Sequence, residues 1–487
     1  MQLWDRMMAA VKNAMPGTEG GLQEWLDAAA DMGGDRCSNY RLYQDFYEGN
    51  KGSELRDRAR QYLELSGIPF CENFCDVVVD TLAERLTVVG FATTAITPVG
   101  DGEVDDTAAR EAESWWRANR MDGLQQIVHS GALIRGDEYV IVEWDPKRGM
   151  PRFYRQLPHQ VKVVYSEDAP DRIEYATKVW NTKRVAVLNP KGRAIRRLNV
   201  YWPDRVEKWY RPDSGGEAGS WERWQDDGDP GWPVWTTMTG TRDGDPVGVP
   251  VVHFRYRPDG TGRGRSRVRQ AIPFQAELNK YLADLSDLVD NHALPQDWVR
   301  GVAGDNVTFK RVPGNMWQAM SPDAEFGRLD ASPADNLLSV IEGVLSRLAR
   351  KTRIPMHLLT GGTTPSGEAL KTSESGLVSQ AKACQVDFGN DWEDMIRLGF
   401  RLANAYSDSP VELSDDVVVE AQWANPATRS DKDELETATL KKQLGVSKRT
   451  LLQELGYDPE AEEELRRAEN DEAQAAVAGL LNSGEDG

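Results

Sequence analysis

The chain has 487 residues, which at roughly 150 residues per domain predicts two to four domains with ample apolar surface to bury. Its 58 basic and 78 acidic residues leave a net charge of −20, with 40% hydrophobic residues and a mean hydropathy of −0.58. The composition excludes a disordered chain, and the acidity argues against a general nucleic-acid binder, which gains affinity by neutralising phosphates with Lys and Arg. A surface that nucleic acid must pass without adhering is still allowed.

No stretch approaches the ~18 consecutive apolar residues of a membrane span, so no membrane association is expected. The start, Met1 to Met8, lacks a basic region followed by an apolar core, which argues against a secretory signal and for intracellular synthesis. Four cysteines (Cys37, Cys71, Cys75 and Cys384) make no disulfide framework in so long a chain. Cys71 and Cys75 have helical spacing, and the histidines (129, 159, 253, 292 and 357) are scattered. Small residues on one helix face account for the pair better than zinc, and no metal or cofactor is expected.

In chain order, residues 1–90 read as helices. Trp25, Leu26 and Ala29 begin an amphipathic stretch that Gly33 and Gly34 stop, Tyr40, Tyr43 and Tyr47 share a second helix face, and Asn73 to Leu86 forms another helix. From about 136 to 255 the period shifts towards two. The runs Tyr139–Trp144, Val161–Tyr165, Arg172–Ala176, Asn199–Trp202 and Arg205–Tyr210 read as strands. Tryptophans 180, 202, 209, 221, 224, 232 and 235 fall in this region. They fit either a carbohydrate-binding face or, more plainly, the half-buried strands of a twisted antiparallel layer.

Pro273 and Pro295 bracket one helical stretch, and Pro333 and Pro355 another. In the first, Leu278, Leu282, Leu285 and Val289 form a heptad-like seam, with Asp284, Asp287 and Asp290 opposite. In the second, Leu337, Ile341, Val344, Leu345 and Leu348 make a stripe, with Ser339, Glu342, Ser346, Arg350 and Arg353 opposite. Between them lie turn signals and strand patterns such as Asp297–Gly301 and Asn315–Met320. Two matched helices carrying a small module form a stalk that alone buries few of its apolar positions, so it is expected to pack against copies of itself. Beyond the Gly361–Gly367 loop, a long helix spans about Glu368–Ala405, a strand spans Val417–Trp423, and two short helices flank Gly445.

Three motifs invite functional readings. Gly362-x4-Gly367 begins like a P-loop, but Glu368 and Ala369 stand where Lys and Ser/Thr are required, and a carboxylate there repels phosphate. Arg257, Arg263, Arg265, Arg267 and Arg269, interleaved with Gly260, Gly262 and Gly264, form the densest basic run; it reads as a phosphate contact or, preferably, a flexible joint with acid-paired arginines. Lys441–Leu452 looks like a helix-turn-helix, yet the acidic residues that follow favour plain packing over base reading. Neither His-Glu-x-x-His nor Gly-x-Ser-x-Gly occurs, and no catalytic residue is assigned.

The order of these parts resembles the portal, or head-to-tail connector, proteins of tailed bacteriophages, most closely the long-tailed actinobacterial-phage type. The likeness spans about residues 35–470. It rests on Tyr40-x2-Tyr43-x3-Tyr47-x-Gly49, on Asn73–Asp80 with Arg85-Leu86 and Gly90-Phe91, on Arg135–Tyr139, on Glu277–Lys280 and on Ser366–Lys371. The resemblance implies an α+β portal fold assembled as a ring of about twelve subunits at one capsid vertex of the virion, built in the host cytoplasm. Its wing would be 1–272, its stem helices 273–294 and 334–355, and its clip 295–333. Residues 356–429 would hold a tunnel loop (Thr360, Gly361, Gly362, Thr363, Thr364), a long helix and a wing strand. Residues 430–487 would form the crown and an acidic tail. The implied partners are other copies of the chain, the terminase large subunit, the major capsid protein and scaffold, a head–tail adaptor, and double-stranded DNA passing without sequence specificity. Asp284, Asp287 and Asp290 are candidates to face that channel. A carbohydrate-binding tail component, a helix-turn-helix nucleic-acid-binding protein and a nucleotidase are the alternatives.

Overall fold

The computed structural model describes residues 19–50, 72–95, 107–182, 195–212, 219–224, 247–260, 262–292, 296–301, 322–329, 334–361, 367–407, 417–427, 431–454, 462–463 and 465–467. In chain order the elements open with α1 (Glu19–Ala30), α2 (Gly34–Tyr47), α3 (Cys75–Ala83), β1 (Val88–Ala95), α4 (Thr107–Ala118) and α5 (Met121–Arg135). Then follow β2 (Asp137–Asp145), β3 (Met150–Gln156), β4 (Val161–Tyr165), β5 (Ile173–Thr182), β6 (Ile195–Tyr201), β7 (Val206–Pro212), β8 (Glu222–Arg223) and β9 (Val251–Arg255). The remainder is α6 (Val268–His292), β10 (Gln296–Arg300), β11 (Glu325–Leu329), α7 (Asp335–Thr352), α8 (Met356–Thr360), α9 (Gly367–Tyr406), β12 (Val417–Trp423), α10 (Asp431–Gln443) and α11 (Lys448–Glu454). The chain divides into two units, one of residues 1–44, 79–268 and 364–487, the other of residues 45–78 and 269–363.

The first unit is mixed α/β with antiparallel sheets. Its five-stranded sheet runs in the order β4-β5-β6-β7-β8, its three-stranded sheet β3-β2-β9, and β1 pairs with β12. The last pairing corrects the expectation of helix throughout 1–90. Val88 to Ala95 is rich in β-branched residues and finds its partner only near the other end of the chain, Phe91 opposite Ala421. Helices α4 and α5 were not among the expected elements, although α4 is strongly amphipathic; they contribute the buried Trp115, Trp116, Val128 and Leu133.

The long helix α9 runs through this core. Leu377, Ala381, Phe388, Trp392, Met395 and Ile396 are fully buried on it. Trp392 meets Trp116 edge-on at 5.1 Å and Phe254 at 4.4 Å. His129 stacks on Phe388 at 5.3 Å. Its Nδ1–H donates to the Leu86 carbonyl at 3.1 Å, leaving Nε2 to accept the Trp392 indole N–H at 2.9 Å. Both ring nitrogens are thereby used by the neutral tautomer.

The described tryptophans of the β-rich region are packing elements. Trp202 and Trp221 are buried with Leu26, Ala30, Leu198 and Val200, and Trp25 stacks on Trp202 at 5.8 Å. Arg197 lies between Trp180 and Trp224, 5.3 and 3.5 Å from the two ring centres. These contacts cover ring faces that a sugar would need. Trp232 and Trp235 lie outside the described residues.

In the second unit α6 begins at Val268, five residues before the expected Pro273 boundary, and Pro273 sits inside it. Pro273 is the sixth residue of this helix, so it removes the bond its N–H would make to the Arg269 carbonyl and its ring crowds that oxygen. Strand β10 pairs with β11, Trp298 facing Gly327, a hairpin of which only the first strand was expected. The Asn315–Met320 strand pattern lies outside the described residues.

Two measurements test this packing. Burial holds His129 at a pKa of about 3, below its ordinary 6.5. The unfolded chain therefore takes up a proton near pH 6.5 that the folded protein refuses, and stability falls as pH drops towards 3, by up to about 1.4 kcal/mol per pH unit from this group. Urea midpoints of His129→Gln should show a flatter decline than wild type between about pH 7 and pH 4, and parallel curves would refute the assignment. Gly136 and Gly264 touch backbone to backbone, so that a Cβ on Gly264 would collide with the Gly136 carbonyl. Gly264→Ala should lose about 2–3 kcal/mol of stability in thermal or urea unfolding, whereas Gly260→Ala, which has open space, should stay close to wild type.

Candidate functional site

The segments that carry the family likeness converge on hydrogen-bonded contacts. Strand β2 opens with Asp137, directly after Gly136, whose φ of 94° and N–H bond to the Ala132 carbonyl end α5. The Asp137 carboxylate is buried and accepts His253 Nε2–H at 2.8 Å, the Gly264 N–H at 2.8 Å, and the Tyr40 hydroxyl. Arg36 lies 3.6 Å from the same carboxylate and donates to the hydroxyls of Tyr40 and Tyr139. His253 Nδ1 accepts the Tyr165 hydroxyl at 2.8 Å.

Burial works to raise the Asp137 carboxyl, but the His253 hydrogen bond, followed by Arg36 and Tyr40, outweighs it and holds the group below its ordinary value. Burial lowers His253 despite Asp137, and pushes Tyr165 up to about 12. The result is an ionised aspartate, a neutral histidine and protonated tyrosines. An Asp–His–Tyr chain of this kind could suggest proton transfer. Here Asp137 and His253 are almost wholly buried, and the hydroxyl of Tyr165 is already donated to the imidazole, so the chain serves as a structural lock. Of these residues sequence reasoning singled out only Tyr40, Asp137 and Tyr139, because His253 and Tyr165 have no fixed spacing to them. Beside them, Glu138 is buried between Arg135 at 2.6 Å and Arg155 at 2.7 Å.

The basic run is pinned in place, which does not fit a flexible joint. The Arg265 N–H bonds the Tyr256 carbonyl at 2.7 Å and the Arg267 N–H bonds the Leu133 carbonyl at 2.8 Å. Arg267 is buried and donates to Gln380 at 2.5 Å and to the Tyr256 hydroxyl at 3.3 Å. Arg257, Arg263, Arg265 and Arg269 are exposed, so the five do not form one patch.

In the second unit, the Asn73 side chain accepts the Cys75 N–H at 3.1 Å and donates to the Tyr47 carbonyl at 2.6 Å, which joins two of the likeness segments. The Phe74 N–H donates to Gln275 Oε1 at 2.8 Å, and Gln275 donates to Asn279 at 2.9 Å. Arg347 of α7 pairs with Glu277 of α6 at 2.8 Å. On α7, Ile341, Val344, Leu345 and Leu348 are buried, while Ser339, Glu342, Ser346 and Arg350 are exposed, as is Arg353 just beyond its end. On α6 the buried face carries Gln275, Leu278, Asn279 and Ala283, whereas Leu282 and Leu285 of the expected seam stay half-exposed.

Asp284 is half-exposed on α6. Asp287 and Asp290 follow on the same helix at three-residue steps, and their side chains lie outside the described residues. Thr360 ends α8 and Gly361 caps it with a φ of 63°. Gly362, Thr363 and Thr364 lie outside the described residues. The helix-turn-helix candidate comprises α10 and α11, with Ser447 accepting the Thr450 N–H at 3.2 Å as an N-cap. Among the described residues no group of His, Cys, Asp and Glu could hold a metal ion, and no helix is long and apolar enough to cross a membrane. Cys75 is buried with its Sγ 4.0 Å from Gln275 Oε1, and Cys71 lies outside the described residues.

The comparisons with known proteins agree with this arrangement. The chain is 24% identical to the portal protein of Mycobacterium phage D29 over 485 residues, covering 92% of this chain and 88% of that protein. It is 23% identical to the portal protein of Mycobacterium phage L5 over 489 residues, covering 95% and 90%. The family described as phage portal protein, SPP1 Gp6-like, matches residues 39–477. That match takes in Tyr40, Asn73, Asp137, His253 and Gly264, and the chain belongs to the SPP1 Gp6-like family of phage portal proteins.

Proposed function

We propose that this portal protein works as a closed ring at one capsid vertex, through whose axial channel double-stranded DNA is driven inward by a separate terminase and later leaves towards the tail. In this reading α6 and α7 are the stem, the β10–β11 hairpin belongs to the clip, and α10 and α11 belong to the crown. The first unit supplies most of the wing, and the loop after Gly361 narrows the channel. The partners are the terminase large subunit, the major capsid protein and scaffold, and a head–tail adaptor. The protein resides in the virion after assembly in the host cytoplasm. Its role is structural, with energy supplied by the motor, in keeping with Glu368 and Ala369 at the positions where a P-loop needs Lys and Ser/Thr.

The observation that carries this reading is the apolar surface of the second unit. Trp298, Phe326, Leu338, Val340 and Leu358 are exposed there, Leu338 and Val340 at 44%, and Leu282 and Leu285 are half-exposed. Large apolar groups exposed in this way are what a ring of identical neighbours would cover. Electrostatics supports the same reading, since about twelve copies at −20 each would present a field near −240 that discourages DNA from adhering to its conduit.

Negative-stain microscopy with a mass measurement on the same sample should show rings of about twelve 54.4 kDa subunits around an axial hole. Val340→Asp should shift that mass towards smaller species while leaving the helical circular dichroism intact; unaltered rings would remove the interface role of this surface. If the acidic face of α6 lines the channel, the triple change Asp284→Lys, Asp287→Lys and Asp290→Lys should raise retention of the ring on a DNA column at modest salt. Unchanged retention would count against that placement.

A further inference from the structure

The first unit holds a cavity of about 510 Å³ between β9, the turn joining β4 to β5, and the C-terminal half of α9. This volume lies in the range of small-molecule sites, which pair apolar walls with a few convergent polar groups. Val249, Val251 and Leu398 contribute apolar wall, and Arg255, Arg397 and Arg401 reach it from two different elements. Arg397 and Arg401 are one helical turn apart on α9, a spacing that sets like charges side by side.

These guanidiniums are only partly occupied. Arg397 donates to Asp394 at 2.5 Å, and Arg401 donates to the Val247 carbonyl at 3.3 Å. Arg255 lies over the Tyr165 ring at 5.2 Å, and among the described residues no hydrogen bond engages its guanidinium. The wall carries four arginines, Arg172, Arg255, Arg397 and Arg401, against three aspartates, Asp171, Asp391 and Asp394. Burial pushes Asp391 well above its ordinary value, and its carboxyl accepts the Arg255 backbone N–H. Burial and then repulsion from Arg397 lower Arg401, while the nearby Asp394 carboxylate works the other way. Asp171, at the rim, is exposed. Forked donors that line one partly open cavity can match the acceptor geometry of a tetrahedral oxyanion.

We propose that this cavity is a binding site for a small phosphate-class anion, either inorganic phosphate or the phosphate of a mononucleotide, held by Arg255, Arg397 and Arg401. Its volume admits such a molecule and excludes duplex DNA, so the site is separate from any contact with the DNA in transit. It is built within one chain and stands whether or not the ring reading holds.

Isothermal titration calorimetry on the full-length protein, in chloride at constant ionic strength, tests the proposal with inorganic phosphate and with adenosine monophosphate in separate titrations. Saturable binding of one anion per chain is expected, about tenfold weaker in Arg401→Gln and in Arg397→Gln and unchanged in Arg263→Gln, which alters an exposed arginine that does not line the cavity. A nucleotide that binds about tenfold tighter than phosphate identifies the mononucleotide as the ligand, and equal or weaker nucleotide binding identifies inorganic phosphate. Absence of saturable heat with both titrants up to about 10 mM, or wild-type affinity in both glutamine variants, overturns the site. If either glutamine variant fails to fold, Arg401→Lys keeps the charge but loses the fork, and wild-type affinity in that variant refutes the arginine geometry.

Discussion

The first unit is organised around one buried negative charge. An ionised carboxylate removed from water costs several kcal/mol unless its acceptor positions are filled, and a site that loses one partner is left with the unpaired remainder. Asp137 is filled by Tyr40 from α2, His253 from β9 and the Gly264 N–H, with Arg36 close by. Each donor comes from a different stretch of chain. Correct ionisation of this one side chain therefore requires α2, the three-stranded sheet and the segment leading into α6 to be in register together. The neutral, Nε2-protonated form of His253 follows from the same demand, since Asp137 needs the proton on that nitrogen and Tyr165 supplies one to the other.

The glycines beside Asp137 serve this lock. Gly136 adopts a positive φ that ends α5, and the absence of a side chain at Gly264 lets the two backbones touch. That contact brings the Gly264 N–H to the carboxylate and aligns the segment whose Arg265 and Arg267 amides bond to the Tyr256 and Leu133 carbonyls. The basic run thus has a mixed character. Arg267 is a buried structural donor, and its neighbours remain on the surface.

Each unit is held by contacts of its own. The first buries aromatic residues around Trp392 and fills the acceptors of Asp137 and Glu138. The second binds its own helices by specific contacts such as Glu277 to Arg347 and Gln275 to Asn279, yet leaves tryptophan, phenylalanine, leucine and valine side chains in water. Polar contacts set the register of two helices at modest gain, whereas apolar surface supplies most of the energy of association.

Periodicity along the chain was enough to reveal the α7 stripe, the long α9 helix, four of the five strands of the five-stranded sheet and the capped pair α10–α11, because the signals that make these elements recur every few residues. The ordered motifs likewise revealed the family, and their residues prove to be the ones that meet, Tyr40 with Asp137 and Asn73 with Tyr47. What remained hidden depends on pairing across long separations. Nothing near Val88 announces β12, nothing near Asp137 announces His253, and nothing near Arg397 announces Arg255 across a cavity. Gly264 looked like a source of flexibility and acts as a point of closest approach, and α6 runs through Pro273. Local patterns specify which face of an element is apolar, but burial, charge compensation and the shape of a cavity arise only when distant elements share one volume.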